Sequence, residues 1–252
     1  MNNSWRIILD KKHNGYYNMA LDEAILNNYD NLKMPTLRIY GFDRPFISLG
    51  YAQKTKEVLK EDNKIPVVRR ITGGEAVFHD EELTYSIVCS VKDLDLPKSI
   101  KESYKKICSF LINFYKKLNL DIEFPKEKKI NSNFCLSNFM QFDILIDSKK
   151  IGGNAQRRKK DIIFHQGYIL QKIDFEKIYE SIKGIKDLEY KVNYLYNFTN
   201  YDFYSLEILL KESFKETFSI NFVYDKLTDQ EINTSQILLK EKYTQHNWNY
   251  RI

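Results

Sequence analysis

"RRITGGEAVFHDEELTYSI", the stretch from Arg69 to Ile87, places two arginines, a glycine pair and a histidine between two strand-like segments. Gly73 and Gly74 allow a sharp turn and a close approach of the backbone to a ligand. His79 follows a few residues after the turn. On its residues alone, the stretch fits a hairpin with exposed charges as well as it fits a ligand-binding turn. It contains neither GxxxxGK[ST] nor GxGxxG, which excludes a Walker A loop and gives no support for a dinucleotide-binding turn.

On both sides of this stretch, strand-like apolar runs alternate with longer amphipathic segments. Strands are predicted on each side of the glycine turn and at Trp5–Leu9, Pro35–Phe42, Pro45–Tyr51, Leu83–Val91, Phe142–Asp147 and Asp161–Leu170. Helices are predicted at Asn18–Asn28, from Pro97 to Leu118, and at Phe175–Lys183, Tyr204–Phe218 and Asp229–Tyr243. The last helix begins with a capping box made by Thr228 and Glu231.

This order of elements predicts the fold class. Many consecutive strands mixed with helices indicate an α+β fold. No linker rich in proline, glycine or serine interrupts the chain. We therefore expect one domain over residues 1–252, with a helical C-terminal segment from about 171 to 252.

The composition predicts a protein with a substantial core and no strong basic region. Hydrophobic residues make up 43% and aromatic residues 14% of the 252 residues. Such a chain can bury a core, so disorder over most of its length is not expected. The net charge of +5 is spread along the chain, which gives no footprint for nucleic acid and only a mild preference for acidic partners.

Several other classes of protein are not expected either. No uninterrupted apolar run approaches the roughly 20 residues of a membrane span, and the first residues lack the pattern of a signal peptide. The cysteines, Cys89, Cys108 and Cys135, are odd in number and form no CxxC pair, which disfavours disulfides and a zinc site. The four histidines show no metal-binding pattern. We expect a reduced, cytoplasmic protein without a bound metal, and we expect Cys108 to be a core thiol.

A second stretch, "NFCLSNFMQFDILIDSKKIGGNAQRR" from Asn133 to Arg158, contains a cysteine and a lysine fifteen residues apart. Cys135 lies in the loop before a predicted strand, and Lys150 lies at the end of a predicted hairpin. A free thiol is mostly protonated at neutral pH, and a nearby ammonium group stabilises the reactive thiolate. On the residues alone, Cys135 is either a small buried side chain or a nucleophile, and the spacing does not establish that Lys150 is near it.

These stretches together resemble the lipoate branch of the biotin/lipoate protein-ligase superfamily. That branch carries Arg-Arg-x-[Ser/Thr]-Gly-Gly-x-Ala-Val-x-His-Asp, and every fixed position is matched here, by Arg69, Arg70, Thr72, Gly73, Gly74, Ala76, Val77, His79 and Asp80. The segments Asn18–Glu23, Pro35–Gln53 and Lys150–Leu170 are also similar to the family, so the resemblance spans roughly residues 5 to 170. It implies mixed sheets flanked by helices. Two departures are Glu75, where glycine or arginine is frequent, and Gln166, where histidine commonly precedes the glycine.

The superfamily contains ligases, which adenylate the acid with ATP, and acyltransferases, which carry the acyl group on a cysteine. Three features favour the transferase: the continuation "DEELTYSI", the position of Cys135, and the roughly 80 residues after Leu170, which leave little room for the accessory domain of a long ligase. The resemblance then implies transfer of an octanoyl group from octanoyl-acyl carrier protein to a lysine of a lipoyl domain, in the glycine-cleavage H protein or a dehydrogenase E2. This reaction requires no cofactor.

The resemblance also implies site residues. Cys135 would be the nucleophile, with Lys150 holding the acyl carbonyl and favouring the thiolate. The implied substrate-binding residues are Arg69, Arg70, Thr72, Gly73, Gly74, His79, Gly152, Gly153, Asn154 and Gly167. His79 is a candidate to orient the site or act as a base, or else a structural residue held by Asp80; no role is assigned to His165. The basic run 157–160 is a candidate docking site for acidic carrier or lipoyl domains.

Three alternatives remain open. The first is a lipoate-protein ligase that uses ATP and Mg²⁺, in which Arg69, Arg70, the glycine turn and Lys150 would bind lipoyl-adenylate and Cys135 would be incidental. The second is an amidotransferase that moves the acyl group between two lipoyl domains by the same cysteine chemistry. The third is a carrier-binding module without catalytic activity. Glu75 disfavours the ligase, because its charge would repel a nucleotide phosphate.

Overall fold

The computed structural model describes residues 3–125, 132–140, 143–224 and 226–251. Its strands are β1 (Ser4–His13), β2 (Thr36–Phe42), β3 (Phe46–Leu49), β4 (Val67–Arg69), β5 (Val77–His79), β6 (Glu82–Ser90), β7 (Ile144–Ile146), β8 (Lys149–Lys159), β9 (Ile162–Leu170) and β10 (Asn221–Tyr224). Its α-helices are α1 (Gly15–Leu32), α2 (Thr55–Val58), α3 (Ile100–Lys117), α4 (Phe175–Ser181), α5 (Phe203–Phe218), α6 (Asp229–Leu238) and α7 (His246–Asn249). Within the described ranges, no helix is both long enough and apolar enough to cross a membrane.

The strands form two sheets. The larger has seven strands in the order β10-β1-β2-β6-β9-β8-β7, and the smaller has the order β4-β3-β5. In the larger sheet β1 runs parallel to both of its neighbours, whereas the pairs from β2 to β7 are antiparallel. The α+β class and the mixed sheets expected from the sequence are confirmed.

The larger sheet is buried on both faces. Side chains alternate along a strand, so neighbouring residues such as Ile87 and Val88 of β6 enter different parts of the core. One face packs against α3 and α5, and the other packs against α1. A third cluster joins the smaller sheet to α4 and to Tyr168 of β9. The smaller sheet is thereby held next to β9 on the side where Tyr168 lies.

Most predicted elements are present, with local differences. The segment from 171 to 252 is not only helical, because β10 pairs in parallel with β1. The predicted strand 142–147 is reduced to β7, with residue 142 outside the described part of the chain. Ile100, the first residue of α3, is 64% exposed, whereas Cys108 of the same helix is buried as expected. The capping box of α6 is confirmed, and the final turn of the predicted helix is a π-helix, Leu239–Tyr243.

Buried charges attach the helices to the sheet. Glu231, which completes the capping box of α6, also pairs with Arg6 of β1 at 2.5 and 2.8 Å. Arg38 of β2 is fully buried and pairs with Asp22 of α1 and with Asp10 of β1. Because each buried charge has a partner of opposite sign, these contacts avoid the cost of an unpaired ion and fix the position of α1 and α6 on the strands.

Candidate active site

A cavity of about 370 Å³ lies where β3, β5, β6, β8 and β9 approach α1 and the loop that carries Cys135. Its lining residues are Met19, Tyr40, Ser48, Arg70, Gly74, Glu75, Val77, His79, Thr84, Tyr104, Cys135, Met140, Asp143, Gly153, Asn154, Ala155, Gln166, Gly167 and Tyr168. Apolar and aromatic side chains thus share the wall with one cysteine, one histidine and a few charged groups. This mixture suits a ligand with an apolar body and one polar reacting group.

The backbone of Ala76, just after the glycine turn, holds Cys135 in the wall of the cavity. It begins a single 3₁₀ turn, Cys135–Ser137, and its backbone N–H donates to the carbonyl of Ala76 at 2.8 Å. The N–H of Ala76 in turn donates to the carbonyl of Asn133 at 3.2 Å. The two stretches of sequence that carry the resemblance are therefore joined by backbone hydrogen bonds at the cavity.

Lys150 of β8 lies next to the cysteine. Its Nζ atom donates to the Sγ atom of Cys135 at 3.2 Å and to the carbonyl of Cys135 at 2.9 Å. It also donates to the carbonyl of Asn138 at 3.3 Å and to the carboxylate of Asp143 at 2.7 Å. The loop that carries Cys135 therefore folds back onto β8. Lys150 contacts the thiol and also holds this loop by its backbone carbonyls.

The ammonium group of Lys150 is fully buried, yet its partners keep it charged. Burial lowers the pKa of Lys150, but the neighbouring Cys135 and Asp143 outweigh that effect and leave the pKa above its ordinary value. Burial raises the pKa of the Asp143 carboxyl, and the charge of Lys150 opposes that rise. Asp143 was not predicted as a site residue, although a charged residue beside the buried strand β7 was a signal for such a partner.

Tyr168 of β9 is a third group at the thiol. Its hydroxyl donates toward the Sγ atom of Cys135 at 3.5 Å. Burial and the neighbouring Cys135 hold the pKa of Tyr168 well above its usual range, so the hydroxyl keeps its proton and can donate it in a hydrogen bond. Tyr168 was not predicted as a site residue, because tyrosine is an ordinary residue in a strand.

Arg70 stabilises the glycine turn by hydrogen bonds to its backbone. Its guanidinium donates to the carbonyls of Gly73 at 2.9 Å and Glu75 at 2.8 Å, and to the hydroxyl of Thr72 at 3.1 Å. It also donates to Ser48, at 3.0 Å to the carbonyl and 3.1 Å to the hydroxyl. Arg70 therefore lines the cavity and also stabilises the turn that forms part of its wall. Thr72 is buried next to Arg70 and does not line the cavity.

The two glycines of the turn differ in role. Gly74 lines the cavity and has a φ of 92°, which an L side chain rarely adopts. Gly73 lies in a shallower groove next to the cavity, and a Cβ atom there would meet nothing within 4 Å. Of the pair, Gly74 is thus required by the backbone, whereas Gly73 is required only if a ligand approaches it.

Arg69 lies outside the cavity, in contrast to its predicted contact with substrate. It is fully buried and donates to the carbonyls of Gly50 at 2.8 Å and Gln53 at 2.7 Å. It also donates to the carbonyls of Asn249 at 3.1 Å and Arg251 at 3.0 Å. This arrangement corrects the prediction: Arg69 connects β4 to residues near the end of the chain.

His79 lies in the cavity wall, but its partner is not the predicted Asp80. Its Nδ1 atom is 2.5 Å from the carboxylate of Glu82, and its Nε2 atom is 2.7 Å from the hydroxyl of Ser48. The ring also stacks on Phe42, with centroids 4.2 Å apart. Asp80 instead lines a separate surface depression. Neither Ser48 nor Glu82 was identified from the sequence, and the contact of Ser48 with His79 depends on the pairing of β3 with β5.

The predicted glycines of β8 and β9 have two kinds of neighbour. Gly153 and Gly167 line the cavity together with Asn154. A Cβ atom at Gly167 would lie 2.2 Å from the side chain of Asn154, and one at Gly152 would lie 2.5 Å from the carbonyl of Tyr168. Gly152 does not line the cavity, and its missing side chain permits close packing of β8 against β9. Asn154 accepts a hydrogen bond from the hydroxyl of Tyr85.

His165 is buried beneath the cavity rather than in its lining. Burial lowers its pKa to about 3, so the imidazole is neutral near pH 7. Its Nε2 atom lies 3.9 Å from the Sγ atom of Cys108. The next residue along β9, Gln166, lines the cavity instead.

In the basic run 157–160, Arg157 donates to the carbonyl of Ile71 at 2.8 Å, so part of that run supports the fold.

Comparisons with known proteins agree with this architecture. The family described as "Lipoyl protein ligase A/B catalytic domain" matches residues 14–230. The chain is 36% identical to a protein of Carboxydothermus hydrogenoformans named octanoyltransferase LipM, over 98% of this chain and 99% of that protein. It is 31% identical to the protein of the same name from Staphylococcus epidermidis, over the full length of both.

Solved structures with the same fold carry different names. A lipoate-protein ligase A bound with ATP is 26% identical, with a TM-score of 0.85 over 99% of both chains. Protein Ta0514 of T. acidophilum, solved with bound lipoic acid, is also 26% identical, with a TM-score of 0.84 over the full length of both chains. The chain thus has the fold of proteins named lipoate ligases, while its full-length relatives in sequence are named octanoyltransferases.

Proposed function

Because the chain belongs to the lipoyl protein ligase A/B catalytic domain family, we propose that it transfers an octanoyl group from octanoyl-acyl carrier protein, through a thioester on Cys135, to a lysine of a lipoyl domain. Membership of the acyltransferases is supported by the full-length relatives named octanoyltransferase. The observation that carries the proposal is the 3.2 Å contact between the Nζ atom of Lys150 and the Sγ atom of Cys135 in the cavity wall.

In the first half-reaction the thiolate of Cys135 attacks the thioester carbonyl of the carrier. The charged ammonium of Lys150 and the hydroxyl of Tyr168 both stabilise a negative charge on sulfur. The Cys135–acyl bond forms as the carrier thiolate leaves. Lys150 can also hydrogen-bond the oxyanion that develops on the acyl carbon, and such a preorganised charge is effective where water is excluded.

The rest of the cavity would hold the acyl chain. Met19, Val77 and Tyr104 line it with apolar surface, and each methylene group removed from water contributes about 0.8 kcal/mol. In the second half-reaction the amine of the acceptor lysine attacks the enzyme thioester, and Cys135 leaves as the stabilised thiolate. The acceptor would be the glycine-cleavage H protein or an E2 domain.

The transferase chemistry requires neither metal nor nucleotide. The main alternative is a ligase that uses ATP and Mg²⁺, and the solved ligase with ATP is the finding that favours it. Two features of this chain count against it. Arg70 already donates to five protein atoms, and the carboxylate of Glu75 lines the cavity, where it would repel a phosphate.

The test is the intact mass of the protein after mixing with octanoyl-acyl carrier protein in the absence of ATP. We expect a gain of one octanoyl group in the wild type, its absence in Cys135→Ser, and its retention in the matched control Cys108→Ser, whose thiol is buried away from the cavity. Absence of the adduct in the wild type, with product formed from lipoate and ATP, would contradict the proposal in favour of the ligase. A thioester formed only from octanoylated H protein would identify the amidotransferase instead.

A further inference from the structure

Ser48, His79 and Glu82 form a hydrogen-bonded line beside the cysteine site. The hydroxyl of Ser48 is 2.7 Å from Nε2 of His79, and Nδ1 of His79 is 2.5 Å from the Oε1 atom of Glu82. Ser48 and His79 both line the cavity that Cys135 lines. The ring of His79 lies 6.3 Å from the ring of Tyr168, whose hydroxyl contacts the thiol. The line therefore ends in the same space as the nucleophile.

The partners allow one consistent set of hydrogen-bond directions. With an ionised Glu82, which can only accept, the Nδ1–H tautomer of His79 donates to the carboxylate and leaves Nε2 as an acceptor. Ser48 then donates its O–H to Nε2. The hydroxyl oxygen of Ser48 accepts one hydrogen bond from Arg70 and keeps a lone pair for a donor in the cavity. The whole line is arranged to accept a proton.

The carboxylate of Glu82 can balance the charge that such a proton brings. Its Oε1 atom also accepts from the hydroxyl of Thr84 at 2.7 Å. Its other oxygen, Oε2, is buried and has no hydrogen-bond partner among the residues that the structure describes. A proton that arrives at His79 would place a positive charge next to this buried carboxylate.

Lys150 and Tyr168, which contact the thiol, are not ready acceptors for a proton. The ammonium of Lys150 is kept charged by Cys135 and Asp143. Tyr168 keeps its own proton, because burial and Cys135 hold its pKa well above the usual range. The carboxylate of Asp143 is occupied by Lys150 and by the backbone N–H of Met140. Among described residues that line the cavity, His79 is the one imidazole, a group whose basicity generally suits proton transfer near pH 7.

We propose that the line Ser48–His79–Glu82 is the general base of the second half-reaction, an inference that rests on the proposed acyl transfer. The neutral amine of the acceptor forms a C–N bond to the acyl carbon of the Cys135 thioester. The nitrogen becomes acidic, its proton passes to the oxygen of Ser48, and the hydroxyl proton of Ser48 passes to Nε2 of His79. The C–S bond then breaks, and the sulfur leaves as a thiolate beside Lys150. His79 returns its proton to solvent.

The experiment separates the two half-reactions in His79→Gln. The octanoyl adduct of Cys135 is first formed from octanoyl-acyl carrier protein and isolated, and its discharge to a lipoyl domain is then followed by intact mass in a single turnover. We expect adduct formation within a few-fold of the wild-type rate and discharge to lysine slowed about 100-fold, the effect typical of losing a general base. Ser48→Ala is expected to show the same split.

Discharge to hydroxylamine is the decisive control, because hydroxylamine is a strong neutral nucleophile that does not depend on a protein base. We expect His79→Gln and wild type to lose the octanoyl group to hydroxylamine at similar rates. Phe42→Leu, which removes the ring stacked on His79 but no proton-transfer group, should retain discharge to lysine. The proposal is overturned by equal loss with both nucleophiles, which indicates a structural role, or by unchanged discharge to lysine. Absence of any adduct in the wild type would instead contradict the proposed function itself.

Discussion

At the scale of single residues, the site depends on a buried lysine with four hydrogen-bond partners. Lys150 contacts the thiol, two carbonyl groups of the cysteine loop and the carboxylate of Asp143. Removing one partner of a buried ion pair leaves an unpaired charge, which is more costly than losing the whole pair. The role of Asp143 is therefore to let an ammonium group remain charged in the interior beside Cys135.

Lys150→Met should slow alkylation of Cys135 by iodoacetamide at pH 7 by about tenfold or more, because a hydrogen bond to a charged group contributes roughly 1.5–3 kcal/mol. The rate is measured by intact mass. Lys149→Met is the matched control, since Lys149 donates to the backbone carbonyl of Glu189 at the surface. An equal effect in both variants would contradict a specific role for Lys150.

The double variant Lys150→Met with Asp143→Asn separates charge at sulfur from stability. It removes the carboxylate that Lys150→Met leaves buried and unpaired, so we expect part of the lost free energy of unfolding to return. Alkylation of Cys135 should stay slow, because the ammonium is still absent. Recovery of the alkylation rate together with stability would mean that Lys150 acts only through the fold.

At the scale of elements, the backbone of the glycine turn lies very close to the backbone at the end of β3. A Cβ atom at Gly50, at the end of β3, would lie 1.8 Å from the carbonyl oxygen of Gly74. Such a contact cannot be relieved by rotating a side chain, because the neighbouring atom is backbone. The small sheet and the turn can therefore adopt their observed positions only if residue 50 has no side chain.

Gly50→Ala should lower the free energy of unfolding by about 1–3 kcal/mol, the usual cost of inserting an atom into a closely packed site. Gly73→Ala should change it by less than about 0.5 kcal/mol, since a Cβ atom there meets nothing within 4 Å. Urea denaturation of both variants measures the difference. A Gly50→Ala protein as stable as Gly73→Ala would show that the two segments can separate without cost.

The sequence predicted elements better than it predicted contacts between them. Strand-like runs of residues were sufficient to predict β2 and β6, which are buried on both faces although each contains polar residues. The four-residue strand β10 was missed, because "NFVY" is short and its role appears only when β1 lies beside it. In the site, Cys135 and Lys150 were identified by type and motif. Asp143, Ser48 and Glu82 were not, because a buried polar residue reveals its partner only after the strands have paired.

At the scale of the whole molecule, burial of His165 couples the fold to pH. Its pKa is about 3 in the folded protein, because burial disfavours the charged imidazole, and is near 6.5 in an unfolded chain. Between these values the unfolded state binds more protons than the folded state. The free energy of unfolding therefore falls as the pH is lowered through this window, by up to about 1.4 kcal/mol for each pH unit.

Replacing this histidine should reduce that dependence. His165→Phe keeps a ring beside Tyr85 and Tyr104, which contact His165 in the folded protein, but binds no proton in either state. We expect a smaller decrease in stability between pH 6.5 and pH 5 than in the wild type, measured by urea denaturation at both values. Parallel decreases in the two proteins would contradict the assignment and indicate that other groups dominate the acid sensitivity.

The contacts of Arg69 have a consequence for the order in which the protein can be completed during synthesis. Arg69 is the last residue of β4, just before the glycine turn. Two of the carbonyls that accept from its guanidinium belong to residues 249 and 251, about 180 positions later in the chain. Burying a charged group without partners is unfavourable. A growing chain therefore lacks two of the partners of Arg69 until residue 251 has been made, and the burial of this arginine is completed only then.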